Sequence, residues 1–184
     1  MIRRPARPGL TGPAIRLARP VRLFVLDVDG VLTDNAAYFR TDGPGTKRFF
    51  IQDSMGLKLC QRAGIDIAVI SGLENLQARQ FMHQLGVAEF HGGHRDKLPV
   101  LMALLEARGL GLHQVAYMGD DWLDASVMAR VGLPMAPCDA QPEILRLARF
   151  VSRRPGGNGA VRDAVRLLLT AHGVLTDLWR QLRD

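Results

Sequence analysis

Two clusters of acidic residues are the part of this sequence best suited to chemistry. Each cluster follows an apolar run, and a carboxylate carried into such surroundings needs a cation or hydrogen-bond donors as partners. If the two clusters meet in one crevice, their oxygens suit Mg²⁺, a hard cation that takes oxygen ligands. The clusters are Asp27 and Asp29, which come just before Gly30, and Asp120 and Asp121, followed one helical turn later by Asp124.

A hydroxyl and an ammonium group complete a set that could hold a phosphoryl group. Ser71 follows a third apolar run, and Lys97 is one of only three lysines in the chain. The hydroxyl can donate a hydrogen bond to a phosphoryl oxygen, and the lysine can supply a point charge. Together with the acidic clusters, these two residues predict a Mg²⁺-dependent site for phosphoryl chemistry.

The residues of both sets stand where predicted strands end. Apolar runs bounded by polar residues and glycine are typical of buried parallel strands, and helical spacing appears between them. This alternation predicts an α/β fold, a Rossmann-like doubly wound parallel sheet with its ligand site beyond the carboxyl ends of the strands. The strands begin at Val21, with others over Ile65–Ile70, Val87–Phe90, Val115–Met118 and Gly132–Ala136, and the helices are Met55–Ala63, Asn75–Leu85, Lys97–Arg108, Leu123–Val131, Pro142–Ala148 and Ala160–Leu169.

The stretch Ala36–Ile51 interrupts this alternation. Its centre, Thr41-Asp42-Gly43-Pro44-Gly45, has the composition of a turn and lies between two short apolar runs. The pattern predicts a β-hairpin inserted after the first strand. We therefore expect one domain over residues 21–173, preceded by an Arg- and Pro-rich extension over 1–20 that is disordered or loosely docked. Residues 174–184 follow as an amphipathic helical tail that could cover a subunit interface.

The positive charge of the chain is concentrated at its N-terminus. The net charge is +6, and residues 1–22 hold six arginines and no acidic residue, so the remainder is neutral. A neutral body lacks the broad basic face that nucleic-acid binding needs, and we expect no nucleic-acid partner.

Hydropathy and cysteine usage indicate the cellular compartment of the protein. There is no apolar run of roughly 18 residues, so we expect no membrane span, and the N-terminus lacks the apolar segment of a secretory signal. Cys60 and Cys138 lie far apart without a CxxC spacing, which favours two reduced thiols over a disulfide or a zinc site. These features predict a cytoplasmic protein.

The order of the motifs resembles the haloacid dehalogenase-like (HAD) superfamily of aspartate-nucleophile phosphatases. The matching positions are Asp27-x-Asp29-Gly-Val-Leu-Thr, Ser71, Lys97 and Gly119-Asp120-Asp121-x-x-Asp124. The resemblance implies that Asp27 forms an aspartyl-phosphate and that Asp29 is the general acid and base. Ser71 and Lys97 would hold the phosphoryl group. Mg²⁺ would be bound by Asp27, the Asp29 backbone carbonyl and Asp120, with Asp121 and Asp124 as further ligands or as supports for them.

The spacing of the motifs indicates a member without a cap domain. Neither the interval from Asp29 to Ser71 nor that from Ser71 to Lys97 leaves room for one. A capless chain with a hairpin after the first strand resembles the 3-deoxy-D-manno-octulosonate 8-phosphate (KDO 8-phosphate) phosphatase family, over about residues 22–173. That resemblance implies a sugar-acid phosphate as substrate and a homotetramer in which hairpins pack together. We also expect phosphate and substrate binding by Gly30, Asp53, Lys58, Gly72 and Arg79, where Lys58 and Arg79, like Arg95, are cations that could replace arginines of the family.

The sequence departs from the family where the family contacts its sugar acid. Leu73, Phe81 and Asn158 stand where arginines are usual. The substrate is therefore open between the eight-carbon sugar-acid phosphate, a nine-carbon sialic-acid-like phosphate and another small phosphate ester. Residues 152–159 are either a solvated linker or a lid that reaches a neighbouring site.

Two other classes of function compete with a phosphatase. A receiver-type signalling domain also carries clustered acids, a hydroxyl and a lysine, but it lacks a second aspartate two residues after its phosphoacceptor. A non-catalytic assembly or regulatory module of phosphatase descent would account for the missing arginines. Intact Asp27 and Asp29 argue against both.

Overall fold

Six short parallel strands form the centre of the structure, a computed structural model that describes residues 12–38, 41 and 45–184. The strands are β1 (Leu23–Leu26), β2 (Asp66–Ile70), β3 (Glu89–His91), β4 (Val115–Met118), β5 (Leu133–Ala136) and β6 (Phe150–Val151). Their order across the sheet is β3-β2-β1-β4-β5-β6. The chain therefore winds outward in both directions from β1, as expected for the doubly wound α/β sheet that the sequence predicts.

Helices cover both faces of the sheet. They are α1 (Gly12–Ala18), α2 (Ile51–Arg62), α3 (Leu76–Gln84), α4 (Lys97–Arg108), α5 (Ala125–Met128), α6 (Pro142–Leu147), α7 (Ala160–Ala171) and α8 (Leu175–Arg183). Side chains of β1 alternate between two cores: Phe24 and Leu26 pack with α1, α2, α3 and α7, while Leu23 and Val25 pack with α4, α5 and α6. All four are fully buried, which explains why this strand is a continuous apolar run.

The carboxyl ends of the inner strands meet along one edge. The backbone N–H of Asp27 donates to the carbonyl of Met118 at 3.0 Å, so the ladder between β1 and β4 extends to the first acidic cluster. The N–H of Ser71 donates to the carbonyl of His91 at 2.9 Å. Polar residues that are far apart in the sequence are thereby fixed side by side.

The segment between β1 and α2 is paired antiparallel at two points. Thr33 bridges Phe49, and Tyr38 bridges Thr46. Residues 39, 40 and 42–44, which include most of the predicted turn, lie outside the described residues. The predicted hairpin therefore contains isolated bridges rather than continuous strands in the part described. Helix α2 begins at Ile51 rather than at the predicted Met55, so it follows this segment directly.

A stacked pair of rings holds this segment against α3. The rings of Phe49 and Phe81 lie 4.4 Å apart between centroids. The side-chain amide of Gln77 donates to the carbonyl of Gly45 at 2.7 Å. The side chain of Lys47 also contacts Asp29, so residues 45–49 lie beside the carboxyl edge of the sheet.

The N-terminal extension requires a correction. Residues 1–11 lie outside the described residues, but Gly12–Ala18 form α1 instead of a loosely docked tail. Ala14 and Ala18 are buried in the core that contains α7. Small apolar side chains allow this short helix to pack closely. The arginines and prolines of the segment favoured a disordered tail, so the sequence did not predict the helix.

Two further features complete the architecture. In the part of the chain that the structure describes, no cap domain is present, and no helix is both long and apolar enough to cross a membrane. The predicted helix over Leu123–Val131 is shorter than expected, since only Ala125–Met128 are α-helical after a 3₁₀ turn at Trp122–Asp124.

Candidate active site

A buried lysine joins two of the predicted aspartates. Lys97, the first residue of α4, places its Nζ 2.9 Å from Oδ1 of Asp27 and 2.6 Å from Oδ1 of Asp124. The lysine side chain is only 1% exposed. Burial alone would lower the pKa of Lys97, but the charges of Asp27 and Asp124 outweigh burial and raise it. Lys97 is therefore held in its charged form.

The carboxylate of Asp124 is fully used by donors of the protein. Oδ1 accepts from Lys97 and from the hydroxyl of Tyr117, each at 2.6 Å. Oδ2 accepts from the backbone N–H groups of Asp120 at 2.9 Å and Asp121 at 3.3 Å. Asp124 thus orients both the lysine and the loop that carries the second acidic cluster.

Asp120 has the opposite character, because one of its oxygens lacks a partner. Its Oδ1 is buried without any hydrogen bond, while Oδ2 accepts from Nδ2 of Asn35 at 3.4 Å. Burial, followed by the charges of Asp27, Asp124 and Asp121, raises the pKa of Asp120 to about 8. A buried oxygen that lacks a donor is costly unless a proton or a cation occupies its free position.

Asp27, the first aspartate of the pair, also lies in surroundings that disfavour its charged form. Burial, reinforced by the charge of Asp124, raises the pKa of Asp27 to about 7 even though Lys97 is adjacent. Ligand oxygens of Asp27, Asp120 and Asp124 all lie within 4.8 Å of one another. The oxygens of Asp27 and Asp120 fit a small divalent cation, which would supply the missing positive charge, whereas those of Asp124 are already used by donors of the protein.

Asp29 points to the other side of the same pocket. Its Oδ1 accepts from Nζ of Lys47 and from the hydroxyl of Thr33, the latter at 3.3 Å. The acid and the lysine are 25% and 18% exposed. No protein donor to Oδ2 is found among the described residues, so this oxygen is free to interact with a ligand.

Ser71 completes the pocket, which has a volume of about 140 Å³. Its Oγ accepts from the backbone N–H of Leu73 at 3.3 Å, so its own proton remains available to a ligand. Among the described residues the pocket is lined by Asp27, Asp29, Asn35, Ser71, Gly72, Leu73, Lys97, Asp120, Asp121 and Leu123. The arrangement can hold a small anion between a lysine, a serine and a cation bound by carboxylates.

Known relatives share both the sequence and this architecture. No family model matches the chain. It is 36% identical over 168 residues to the 3-deoxy-D-manno-octulosonate 8-phosphate phosphatase of Escherichia coli (strain K12), an alignment that covers 91% of this chain and 89% of that protein. The chain belongs to this phosphatase family. It is thereby a member of the HAD superfamily and a phosphoric monoester hydrolase.

Solved structures of the family agree in fold. The KDO 8-phosphate phosphatase of Moraxella catarrhalis, in complex with magnesium, phosphate and KDO, is 29% identical with a TM-score of 0.90 over 92% of this chain and 97% of that one. The cobalt-bound enzyme of Haemophilus influenzae is 31% identical with a TM-score of 0.82 over 86% of this chain and 95% of that one. Metal binding and sugar-acid binding are thus recorded in these relatives of the KDO 8-phosphate phosphatase family.

Glycines allow the strand loops to approach each other. Gly30 has φ of +81°, and a Cβ there would lie 2.0 Å from Oδ2 of Asp120. A Cβ on Gly156 would lie 1.8 Å from the carbonyl oxygen of Gly30. Gly30 therefore contributes to the pocket by being small, although it does not line it.

Asp53, predicted to bind substrate, instead caps a helix. Its Oδ1 accepts from the backbone N–H of Arg162 at 2.7 Å, and Oδ2 accepts from that of Gly159 at 3.1 Å. These N–H groups belong to the first turn of α7, where helices leave donors unsatisfied. In this subunit the buried carboxylate is occupied by these backbone donors, and substrate binding by Asp53 stays a prediction.

Lys58 and Arg79 also lie away from the pocket. Lys58 is an exposed residue of α2. The guanidinium of Arg79 pairs with Glu74, donates to the carbonyl of Phe90 at 2.8 Å and stacks over the Phe90 ring. Neither residue lines the pocket of Asp27 within one subunit, and substrate binding by Lys58 and Arg79 stays a prediction.

The positions that lack family arginines differ in what they do. Leu73 is 64% exposed at the rim of the pocket, so its side chain faces any substrate that enters. Phe81 stacks on Phe49 and is part of the packing between α3 and the segment before α2. Asn158 precedes Gly159, the N-cap of α7. Of these residues, only Leu73 lines the pocket.

Sequence reasoning missed Asn35, Lys47 and Tyr117. The rarity of lysine that singled out Lys97 applied equally to Lys47. Tyr117 lies in a buried strand, where a hydroxyl needs a partner, and this was a usable signal. Asn35, with φ of +60°, gave no signal that distinguishes it from an ordinary turn residue.

Proposed function

We propose that this enzyme is a Mg²⁺-dependent phosphatase that hydrolyses KDO 8-phosphate through an aspartyl-phosphate on Asp27. The supporting observation is the pairing of Asp27 with the buried Lys97 beside a buried Asp120 oxygen that has no partner. Lysine and a cation together would offset the charge of an incoming phosphate. Without them, a carboxylate would repel the phosphoryl group that it must attack.

Mg²⁺ would be held by the carboxylates of Asp27 and Asp120 and by the backbone carbonyl of Asp29. It would act as a Lewis acid that neutralises charge on the phosphoryl oxygens. We assign Asp124 to positioning, because both of its oxygens are saturated by donors of the protein. Asp121 is exposed and caps the turn at Trp122, at 2.6 Å, so we place it outside the direct ligands.

In the first step a carboxylate oxygen of Asp27 forms a bond to phosphorus as the bond from phosphorus to the substrate oxygen breaks. Lys97 and the hydroxyl of Ser71 hold the phosphoryl oxygens during transfer. Asp29 donates a proton to the departing oxygen, which leaves as the sugar hydroxyl. The products of this step are the free sugar acid and the aspartyl-phosphate.

In the second step Asp29, now a carboxylate, takes a proton from water. The water oxygen bonds to phosphorus, the bond from phosphorus to the Asp27 oxygen breaks, and inorganic phosphate is released. Asp27 is regenerated as a carboxylate and Asp29 carries a proton for the next cycle. The same residue thus serves as acid and then as base.

We assign Lys47 and Thr33 to positioning Asp29. Both donate to Oδ1 of that aspartate, and this leaves Oδ2 as the atom that exchanges protons with the substrate. Lys47 also places positive charge beside Asp29, which lines a pocket whose other charged residues are three aspartates and Lys97. The segment after β1 therefore supplies a side chain to the reaction.

An alternative substrate has support from the rim of the pocket. Leu73 and Leu123 present apolar surface where the family uses an arginine after Ser71-Gly72. A phosphate ester with a less acidic body, or a nine-carbon sialic-acid-like phosphate bound in another pose, suits such a rim. KDO 8-phosphate remains the proposal because the named relatives act on it.

We further propose a homotetramer in the cytoplasm. Ile51, Met55 and Tyr38 are large apolar side chains that are 72%, 40% and 44% exposed near the segment after β1. Exposed apolar surface of this kind supports an interface between copies of the chain. Cys60 and Cys138 are both free thiols, which suits a reducing compartment.

The test is a phosphate-release assay with KDO 8-phosphate, a nine-carbon sialic-acid phosphate and p-nitrophenyl phosphate. Turnover should require Mg²⁺, stop with EDTA and be greatest for KDO 8-phosphate. Asp27→Asn should abolish turnover of all three substrates, and the matched surface variant Asp177→Asn should not. Turnover by Asp27→Asn would remove Asp27 as nucleophile, and preference for the nine-carbon ester would replace the substrate only.

A further inference from the structure

A second cleft lies between α2, α7 and α8, on residues that the phosphatase mechanism does not use. It has a volume of about 420 Å³, within the range of small-molecule sites. Its lining residues are Leu59, Arg162, Arg166, Leu175, Thr176, Leu178, Trp179 and Leu182. The walls are thus mostly apolar, with two arginines among them.

The two arginines lack acidic partners. Neither Arg162 nor Arg166 forms an ion pair within the ranges that the structure describes. Nη1 of Arg162 is buried without any hydrogen-bond acceptor. A buried polar group without a hydrogen-bond partner is costly, and this holds for a guanidinium N–H as well.

Their spacing adds a second unfavourable term. Residues four apart in a helix are neighbours on one face, so the two like charges of Arg162 and Arg166 repel each other. Burial, followed by the charge of Arg166, lowers the pKa of Arg162. Because both arginines line the cleft, an anion bound there would offset their positive charges and reduce the repulsion.

We propose that this cleft binds a small amphiphilic anion, namely a carboxylate carried on an apolar chain. The carboxylate lies between Arg162 and Arg166, where planar guanidinium groups match its geometry. The apolar chain packs along Trp179, which is 62% exposed, and along Leu182, which is 47% exposed. A ligand with only a charge would contact the arginines and not the apolar walls, and a ligand with only apolar surface would do the reverse.

The test follows the fluorescence of Trp179. The chain has two tryptophans, so Trp122→Phe leaves Trp179 as the only one. Octanoate is titrated into this protein, with acetate and octylammonium as probes that lack the apolar chain or reverse the charge. Octanoate should give a saturable change and raise the melting temperature, because it binds the native state. Acetate and octylammonium should do neither.

Variants in the same background test the role of charge. Arg166→Gln should weaken octanoate binding at least about tenfold, because it removes a charge-assisted contact. Arg180→Gln, on exposed α8 and paired with Asp177, is the matched control and should bind as before. Arg166→Lys keeps the charge and should retain part of the affinity, which separates loss of charge from loss of packing.

Three outcomes would overturn the proposal. The first is the absence of a saturable response up to about 10 mM octanoate, a concentration that would detect weak sites. The second is equal binding of octylammonium, which would indicate apolar contact alone. The third is unchanged octanoate affinity in Arg166→Gln. Circular dichroism spectra and melting curves without ligand establish that each variant is folded.

Discussion

At the centre of the site three buried carboxylates, Asp27, Asp120 and Asp124, face one buried cation, Lys97. Burying excess charge of one sign is unfavourable, so the metal-free site should retain protons on its carboxylates. The pKa values of about 7 for Asp27 and about 8 for Asp120 express that tendency. Proton and cation therefore compete for the same oxygens.

This competition predicts that Mg²⁺ affinity rises with pH. Below about pH 6 both Asp27 and Asp120 hold protons that the metal must displace, and above about pH 9 neither does. Calorimetric titration at several pH values should show affinity increasing through this window, with proton release that varies with pH. Affinity that does not depend on pH, with no proton release, would contradict the assignment of these ligands.

The same shifts have a consequence for the stability of the metal-free protein. Both pKa values lie above the ordinary value of 3.8, so the folded state binds more protons than the unfolded state between that value and about pH 8. Their contribution to stability is therefore largest at low pH and is lost as pH rises through the folded pKa values. Added Mg²⁺ should restore it at high pH.

Lys47 provides a test of how Asp29 is positioned. Lys47→Met should lower kcat by about 10- to 100-fold with a smaller change in KM, the range expected for impaired proton transfer. The loss should be smaller with p-nitrophenyl phosphate, whose leaving group departs without a proton. Lys47→Arg should recover part of the rate, and Arg130→Met is the control on an exposed cationic residue away from the pocket.

A double variant distinguishes positioning from a separate effect of Lys47 on substrate. If Lys47 acts through Asp29, then Lys47→Met should add little to the defect of Asp29→Asn. Full additivity of the two defects would show that Lys47 contributes independently.

At the scale of elements, Asp53 links α2 to the start of α7. Its carboxylate accepts two backbone N–H groups of that helix and is 3% exposed. Such a cap satisfies donors that the first turn leaves free and fixes how the two helices pack. This connection also stabilises the segment before α7, in which Gly156 closely approaches the carbonyl of Gly30.

Asp53→Ala should therefore destabilise the fold by about 2 kcal/mol, near the upper range for loss of a helix cap. Urea unfolding followed by circular dichroism measures the change in the free energy of unfolding. Asp177→Ala on exposed α8 is the control and should change it by less than about 0.5 kcal/mol. An equal effect of both substitutions would rule out a special role for the cap.

The sequence predicted the sheet well because its strands are buried on both sides. Ile65–Ile70 and Val115–Met118 are apolar runs that end in polar residues, and both correspond to observed strands. β6 was missed, since its two residues form too short a run to show a period. Helix α1 was missed because local composition does not report that Ala14 and Ala18 pack against α7.

The candidate site was predictable where a motif carried it and unpredictable where the contact is long-range. Asp27, Ser71, Lys97 and Asp120 share one pocket, as the sequence predicts from strand ends. The pairing of Lys47 with Asp29 depends on how the segment after β1 folds back, and no spacing rule gives that geometry. The capping role of Asp53 was unpredictable for a related reason, because its backbone donors lie more than a hundred residues further along the chain.

For the whole molecule, the exposed apolar surface around Ile51 is the feature that bears on assembly. Ile51 is 72% exposed at the first residue of α2, close to the end of the segment after β1. An isolated subunit gains nothing from this exposure, whereas a neighbouring copy could bury it.

Ile51→Glu should therefore dissociate the proposed tetramer and reduce activity if neighbouring subunits complete each site. Sedimentation velocity measures the assembly, and KM for KDO 8-phosphate should rise about tenfold or more. Met102→Glu, at a 46% exposed position on α4, is the control and should leave assembly intact. A wild-type protein that sediments as a monomer would refute the proposed assembly.

The contact of Gly30 with Asp120 and Gly156 leaves no space for a single methyl group. Where two segments approach this closely, any single substitution that adds a side chain at Gly30 or Gly156 would disrupt the packing. Divergence towards new substrates is therefore channelled to outlying positions such as Leu73 and Leu123, where variation leaves the phosphoryl machinery intact. Related proteins could therefore acquire new substrates while the residues of the catalytic centre stay unchanged.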